Sequence, residues 1–188
     1  MRAYIGLGAN LGDAPATLTA AVHALAALPG ARLRGVSSLY RSRPVGVLDQ
    51  PDFHNAVVAI DVPRGPDPST GALALLTALK GLERAFGRQP RPRWRERELD
   101  LDLLVFGRHR LAVGDGPLRV AVPHPRAGDR LFVLEPLAEL APRLLPPGWG
   151  EMVGAASRRA RAVEGPRAVR KVGAWDAVAG TWRPRGTP

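Results

Sequence analysis

Between Leu99 and Phe106 the chain alternates, Leu99-Asp100-Leu101-Asp102-Leu103, before closing on Leu104-Val105-Phe106. A period of two is the pattern of a β-strand, whose successive side chains point to opposite faces. Leu99, Leu101 and Leu103 therefore share one face, and Asp100 and Asp102 the other, roughly 6–7 Å apart at the usual rise of a strand. Two like carboxylates on one pleated face repel each other unless a cation lies between them. Hard oxygen ligands at that spacing suit Mg²⁺, particularly when a phosphate chain supplies further oxygens. The lead-in Arg93-Trp94-Arg95-Glu96-Arg97-Glu98 adds the positive charge that polyanion chemistry requires.

The segments before this strand read as β-α-β-β-α. Residues 2–9 form a first strand, and Asp13 with Pro15 starts a helix carrying Leu18, Val22, Leu25 and Leu28 at helical spacing until Pro29-Gly30. Residues 31–41 read as one second strand and Phe53 to Val62 as a third. Asp67-Pro68 caps a second helix with the stripe Leu75, Leu79, Leu82 and Phe86, and Gly87 ends it. With the aspartate strand as the fourth, the order is that of an α+β, ferredoxin-like βαββαβ sheet. A hairpin around Leu118, Val120 and Val122 and helices over 130–140 and 150–163 would make three αβα layers. One domain is expected over 1–163. Beyond about Glu164 the pattern fades, and a weakly ordered basic extension, 164–188, is expected.

The 188 residues include no cysteine, which excludes disulfides, thiolate nucleophiles and Cys-based zinc sites. No window approaches a membrane span and no leader pattern opens the chain, so a cytoplasmic protein without a membrane partner is expected. The net charge of +10 is uneven. From Arg158 onward seven Arg and Lys171 stand against Glu164 and Asp176, a net +6, so much of the basicity belongs to the extension. A basic tail can touch acidic surfaces, but a solvated extension is the plainer reading.

Four segments stand in order: Tyr4-Ile5-Gly6-Leu7-Gly8-Ala9-Asn10-Leu11-Gly12-Asp13; Asp49-Gln50-Pro51-Asp52-Phe53-His54-Asn55; Arg93-Trp94 through Asp102; and Pro123-His124-Pro125-Arg126 followed by Arg130-Leu131-Phe132-Val133-Leu134. In this order and spacing the chain closely resembles the 6-hydroxymethyl-7,8-dihydropterin pyrophosphokinases of folate biosynthesis, over roughly residues 1–160. The resemblance implies transfer of pyrophosphate from ATP to the hydroxymethyl group of a reduced pterin, releasing AMP. ATP is then the co-substrate, and Asp100 and Asp102 would hold two Mg²⁺ bridging its triphosphate.

The same resemblance distributes the other roles. Phe53 and Phe132 match a stacking pair for the pterin, although ordinary core packing would explain either one alone. Asn55 can present both donor and acceptor to the pterin edge, or cap a strand start. Ser42, Pro44, Val45 and Gly46 match a backbone-lined wall. Arg97 matches an arginine contacting both ligands, and Arg88 a loop arginine important for rate, with Arg91 competing for that place. Leu103, Arg119, His124 and Arg130 match nucleotide contacts, with Arg119 on the strand face opposite the apolar residues. Trp94 matches a residue closing over both ligands. Glu83 matches a carboxylate near the nucleotide, or else pairs with Lys80 on a helix surface.

Two departures stand out. Trp94-Arg95-Glu96-Arg97 replaces the Trp-Gly-Pro-Arg common in the family, and Arg43 stands where a small residue or proline is usual. The Pro/Gly-rich segments 42–52 and 87–97 are candidate lids that exclude water once the nucleotide binds. A metal-dependent nucleotidyl transferase or cyclase would also explain Asp100 and Asp102 but would leave Phe53, Asn55 and Phe132 idle. A basic RNA-binding module on the same topology would need aromatic platforms that Asn55-Ala56-Val57-Val58-Ala59-Ile60 lacks. A monomer is expected, with no nucleic-acid partner.

Overall fold

The computed structural model describes residues 1–44, 46, 48–89 and 95–184, with Pro117 by its backbone alone. The elements run β1 (Arg2–Ala9), α1 (Ala14–Ala26), β2 (Arg32–Val36), β3 (Leu39–Ser42), β4 (Phe53–Asp61), α2 (Pro68–Ala85), β5 (Asp100–Phe106), β6 (Leu111–Val113), β7 (Val120–Val122), α3 (Leu131–Leu140), α4 (Val153–Glu164), β8 (Val169–Asp176) and β9 (Thr181–Pro184). The main sheet has the order β5-β1-β4-β3-β8-β9, with β2 also paired to β4, and its strand pairs are antiparallel. The expected βαββαβ frame and the separate β6–β7 hairpin are present.

Helix starts follow the local chemistry. Asp13 caps α1 by accepting the Ala16 amide, and Asp67 caps α2 by accepting the Ser69 and Thr70 amides. The apolar stripes of both helices, Leu18, Val22, Leu25, Leu75 and Leu79, pack with Ile5, Leu7, Val58, Ile60, Leu101 and Leu103 on one face of the sheet. On the other face α3 and α4 bring Leu131, Leu134, Leu137, Val153 and Ala156 against Tyr4, Val57, Leu104 and Val105. The sheet is thus sandwiched between two helical layers. Burial of this kind contributes about 25 cal/mol per Å² of apolar surface.

Two expectations need correction. The segment 31–41 is two strands, because the chain breaks at Ser37-Ser38. There the Ser37 amide donates to the Val57 carbonyl and the Ser37 hydroxyl accepts the Val57 amide, so the chain crosses from one register on β4 to another. The expectation of a weakly ordered tail also fails. β8 pairs with β3, β9 pairs with β8, and Trp182 is buried with its indole N–H donating to the Ser37 carbonyl at 2.8 Å. Trp175 meets Trp182 edge-on, and Gly180 offers its carbonyl to His23 of α1 at 2.7 Å. The alternation of Val169–Asp176 is blurred because Lys171 and Gly173 stand among the more buried positions of the strand, where apolar side chains would mark a face.

Candidate functional site

The free part of the sheet, toward the β5 edge on the α3 side, is where chemistry-bearing residues converge. Side chains of one face of three adjacent strands meet there: Asp100, Asp102 and Leu104 from β5, Gly6 and Gly8 from β1, Phe53, Asn55 and Val57 from β4. The register sets Gly6 opposite both Asp102 and Val57, and Gly8 opposite both Asp100 and Asn55. A Cβ on Gly8 would stand 3.5 Å from the Asn55 Oδ1 and 4.0 Å from the Asp100 Cβ. The two glycines therefore make the bare floor of a trough with carboxylates on one bank and an amide on the other. The resulting cleft has a volume of about 910 Å³.

Its charged end is crowded. Arg88, just past the end of α2, reaches Asp100 at 2.5 Å and also pairs with Glu83. Glu83 is buried, accepts Lys80 on both oxygens at 2.8 and 2.9 Å, and accepts the Leu101 amide at 2.8 Å. It is thus neither a surface residue nor a lining group, but an anchor beneath Lys80 and Arg88, both of which do line the cleft. Burial and the adjacent Asp100 push the Asp102 carboxyl above its ordinary range, against His124, Lys80 and Arg130. Burial pushes Glu83 up as well, with Lys80 opposing. The Arg126 amide donates to Nδ1 of His124 at 3.2 Å, so a neutral His124 keeps its proton on Nε2. Burial holds His124 below its ordinary pKa, while Asp102 works the other way. Arg97, Arg126 and Arg130 complete this end.

The other end is aromatic and amide-lined. Phe53 opens β4, and Phe132 lies in the first turn of α3 with the Arg130 guanidinium 5.6 Å from its ring centroid. Asn55 is buried and donates through Nδ2 to the Ser42 hydroxyl at 2.9 Å, which ties β4 to β3. Glu164, the last residue of α4, accepts the Leu131 amide at 2.9 Å and so caps the turn that carries Phe132.

Of the residues expected from the sequence, Ser42, Phe53, Asn55, Arg88, Arg97, Asp100, Asp102, His124, Arg130 and Phe132 line this one cleft. Three expectations are corrected by strand direction or position. Leu103 points to the α1/α2 face with Leu101, and Leu104 takes the cleft position instead. Arg119 is exposed at the end of a 3-10 turn, before β7 begins, and does not line the cleft. Pro44 is buried and Gly46 exposed, neither against the cleft. Val45, Arg91 and Trp94 lie outside the described residues.

The sequence reading missed Gly6 and Gly8 as a floor, and it missed Asn10. Asn10 is buried at the end of β1, and its Oδ1 accepts the Arg97 amide at 2.8 Å. Its Nδ2 donates to Gln50 and to the Pro51 carbonyl, both at 3.1 Å, and its own amide donates to the Arg97 carbonyl at 3.0 Å. One side chain thereby clasps the segments on both sides of the cleft. The available signal was an Asn followed by a glycine turn, which also marks any ordinary loop.

With this geometry established, comparison with known proteins is specific. Residues 4–142 match the family model of 7,8-dihydro-6-hydroxymethylpterin-pyrophosphokinase (HPPK). Over 148 residues, 78% of this chain and 85% of the relative, the chain is 46% identical to the Pseudomonas aeruginosa protein named 2-amino-4-hydroxy-6-hydroxymethyldihydropteridine pyrophosphokinase. A Methylorubrum extorquens protein of the same name is 42% identical over 144 residues, 77% of this chain and 85% of the relative. Among solved structures, wild-type Plasmodium falciparum HPPK-DHPS with pteroate superposes with a TM-score of 0.71 at 12% identity, covering 97% of this chain and 47% of that one. An HPPK-DHPS complexed with substrates gives 0.69 at 12% identity, over 97% and 50%. This chain spans about half the length of those structures, and at that identity the likeness concerns the fold.

Proposed function

The chain belongs to the 7,8-dihydro-6-hydroxymethylpterin-pyrophosphokinase family and is an ATP-dependent pyrophosphokinase of folate biosynthesis, and we propose that the cleft over Gly6 and Gly8 is where it acts. The observation that carries this reading is the pairing of a polyanion end with an aromatic, amide-lined end inside one cleft. Phe53 and Phe132 bracket the flat pterin ring, and Asn55, oriented by Ser42, reads its edge. The triphosphate of ATP lies toward Asp100 and Asp102, within reach of Arg88, Arg97, His124 and Arg130.

The donor set fits divalent magnesium. Asp100 and Asp102 offer adjacent hard oxygens, and the rise of the Asp102 carboxyl, from burial first and then from Asp100, includes a like-charge penalty that a cation would relieve. Among the described residues no group of three or more His, Cys, Asp or Glu side chains could hold a metal without help. Asp100 and Asp102 would hold the two Mg²⁺, which when bound would supply charge withdrawal from the transferred group.

In the reaction the pterin hydroxyl oxygen bonds to the β-phosphorus, the bond from that phosphorus to the α–β bridging oxygen breaks, and AMP leaves with the bridging oxygen. The hydroxyl proton passes to solvent or to a phosphate oxygen. No strong general base is required, because phosphoryl transfer depends chiefly on alignment and charge stabilisation. Arg88, which meets Asp100 and Glu83 through one and the same terminal nitrogen, exchanges Asp100 for phosphate oxygens while Glu83 stays beneath it. His124 presents its Nε2 proton to phosphate. Asn10 holds the segments at Gln50-Pro51 and Arg97 on opposite sides of the ligands, which supports the exclusion of water. A coupled assay for AMP formation from ATP, Mg²⁺ and 6-hydroxymethyl-7,8-dihydropterin tests the assignment. Activity should vanish in folded Asp100→Asn and Asp102→Asn proteins, and undiminished AMP formation in both would reject it.

A further inference from the structure

A second cavity, of about 330 Å³, lies where β8 joins the edge of β3, lined by Arg41, Ser42, Arg43, Asp52, Arg167, Ala168 and Arg170. Ser42 and Arg43 border both this cavity and the main cleft. Four guanidinium groups face the single carboxylate of Asp52, a net +3 in a space the size of a small ligand. Arg41 has Asp52 as partner, at 2.7 Å. Among the described residues, Arg43, Arg167 and Arg170 have no carboxylate partner.

The strand register makes this arrangement costly. Arg41 and Arg170 are direct cross-strand partners in the β3–β8 pair. Like charges directly opposite across antiparallel strands destabilise the pairing, and a side-chain entropy cost is added if both are held in place. The expected remedy for such a juxtaposition is an acidic residue at one position. Here the chain places cations at both, and adds Arg167 from the turn before β8 and Arg43 from the segment after β3. Two segments remote in sequence thus supply cations to one concavity, and Arg167 and Arg170 lie outside the span matched by the family model.

We propose that Arg41, Arg43, Arg167 and Arg170 form a second anion site that takes a diphosphate group, beside the pterin end of the main cleft and independent of Asp100 and Asp102. Planar guanidinium forks suit phosphate oxygens, and two linked phosphoryl groups carry enough charge to offset the excess of cations. Inorganic pyrophosphate and the diphosphate of a nucleoside diphosphate share that chemistry. A bound anion would relieve the Arg41–Arg170 repulsion and so strengthen the junction between the terminal hairpin and the strand that carries Ser42.

The test is a metal-free titration of the full chain with inorganic pyrophosphate and, separately, with ADP, read by the ¹⁵N-labelled arginine Nε–H signals. The Arg167 and Arg170 signals should shift and saturate with at least one of the two, and whichever acts identifies the source. Arg167→Gln/Arg170→Gln, two exposed positions, should weaken that binding by roughly tenfold or more. Arg43→Gln, outside the strands, should weaken it less while leaving the melting temperature unchanged. An Asp100→Asn/Asp102→Asn protein should retain the Arg167 and Arg170 shifts, so loss of pyrophosphokinase activity and loss of this site are separable. Unmoved Arg167 and Arg170 signals with both ligands, or equal affinity in wild type and the folded double variant, would overturn the proposal.

Discussion

The two ends of the main cleft are built on opposite principles. At the aromatic end the polar groups are already paired with one another: Asn55 donates to Ser42, and Glu164 caps the turn bearing Phe132. At the charged end the same ion that should meet phosphate is spent on the protein itself, since Arg88 spans Asp100 and Glu83. One end offers a ligand a finished shape, whereas the other must exchange partners when a polyanion arrives. On the proposed assignment, rigid recognition of a neutral ring and adaptable neutralisation of a triphosphate place different demands on the same sheet.

Substitutions can break this contrast, and the largest effect belongs to the charged end. Asp100→Asn or Asp102→Asn should lower AMP formation by about 10³-fold or more, yet leave the affinity for the reduced pterin, read by fluorescence, nearly unchanged. A parallel loss of pterin affinity would mean the two ends are not separable. Arg88→Ala should follow with a fall in kcat of about 10²-fold at unchanged KM for the pterin, partly restored in Arg88→Lys. At the other end Asn55→Ala should raise the pterin Kd by about tenfold while ATP affinity stays constant, because a buried edge contact is lost and no phosphate contact is.

Asn10→Ala sharpens the comparison, because it touches both sides at once. It leaves the Arg97 amide without its acceptor and frees the Gln50-Pro51 segment. The expected outcome is a rise in both KM values with stability reduced by about 1–3 kcal/mol, measured by urea denaturation.

The smallest effect concerns the scaffold under the rigid end. Burial pushes the Glu139 carboxyl up, but donation from Tyr40 and Ser38 and the nearby Lys171 outweigh it and hold Glu139 below its ordinary 4.5. A depressed carboxyl contributes stability that is present above the unfolded value and is lost as pH falls through the folded one. Wild type should therefore lose more stability than Glu139→Gln between pH 6 and about pH 3, by about 1 kcal/mol. Equal losses would show that Glu139 does not hold β3.

Much of this was legible along the chain. The caps at Asp13 and Asp67, the helix stripes and the alternation that aims Asp100 and Asp102 away from the core depend on neighbours a few residues apart. Ten of the expected site residues meet in one cleft, and strand period two sets the shared face of Phe53, Asn55, Asp100 and Asp102 among them. The placement of Leu103 and Arg119 away from the cleft lining is local too. Leu103 obeys the alternation and so faces the core with Leu101, while Arg119 falls before its strand begins. The terminal hairpin was missed because Lys171 and Gly173 occupy more buried positions of β8 and leave its apolar pattern faint.

The sequence by itself determined which groups carry charge, which faces they share and where helices begin, since those follow from periods of two and 3.6 and from capping within a turn. Only the tertiary structure decided that Gly6 and Gly8 lie between the aspartates and Asn55, that Asn10 joins two distant segments, and that Arg170 faces Arg41 across a strand pair. These are matters of register between strands remote in sequence. Register is set by the best simultaneous burial of a whole sheet, and no local window of residues contains that sum.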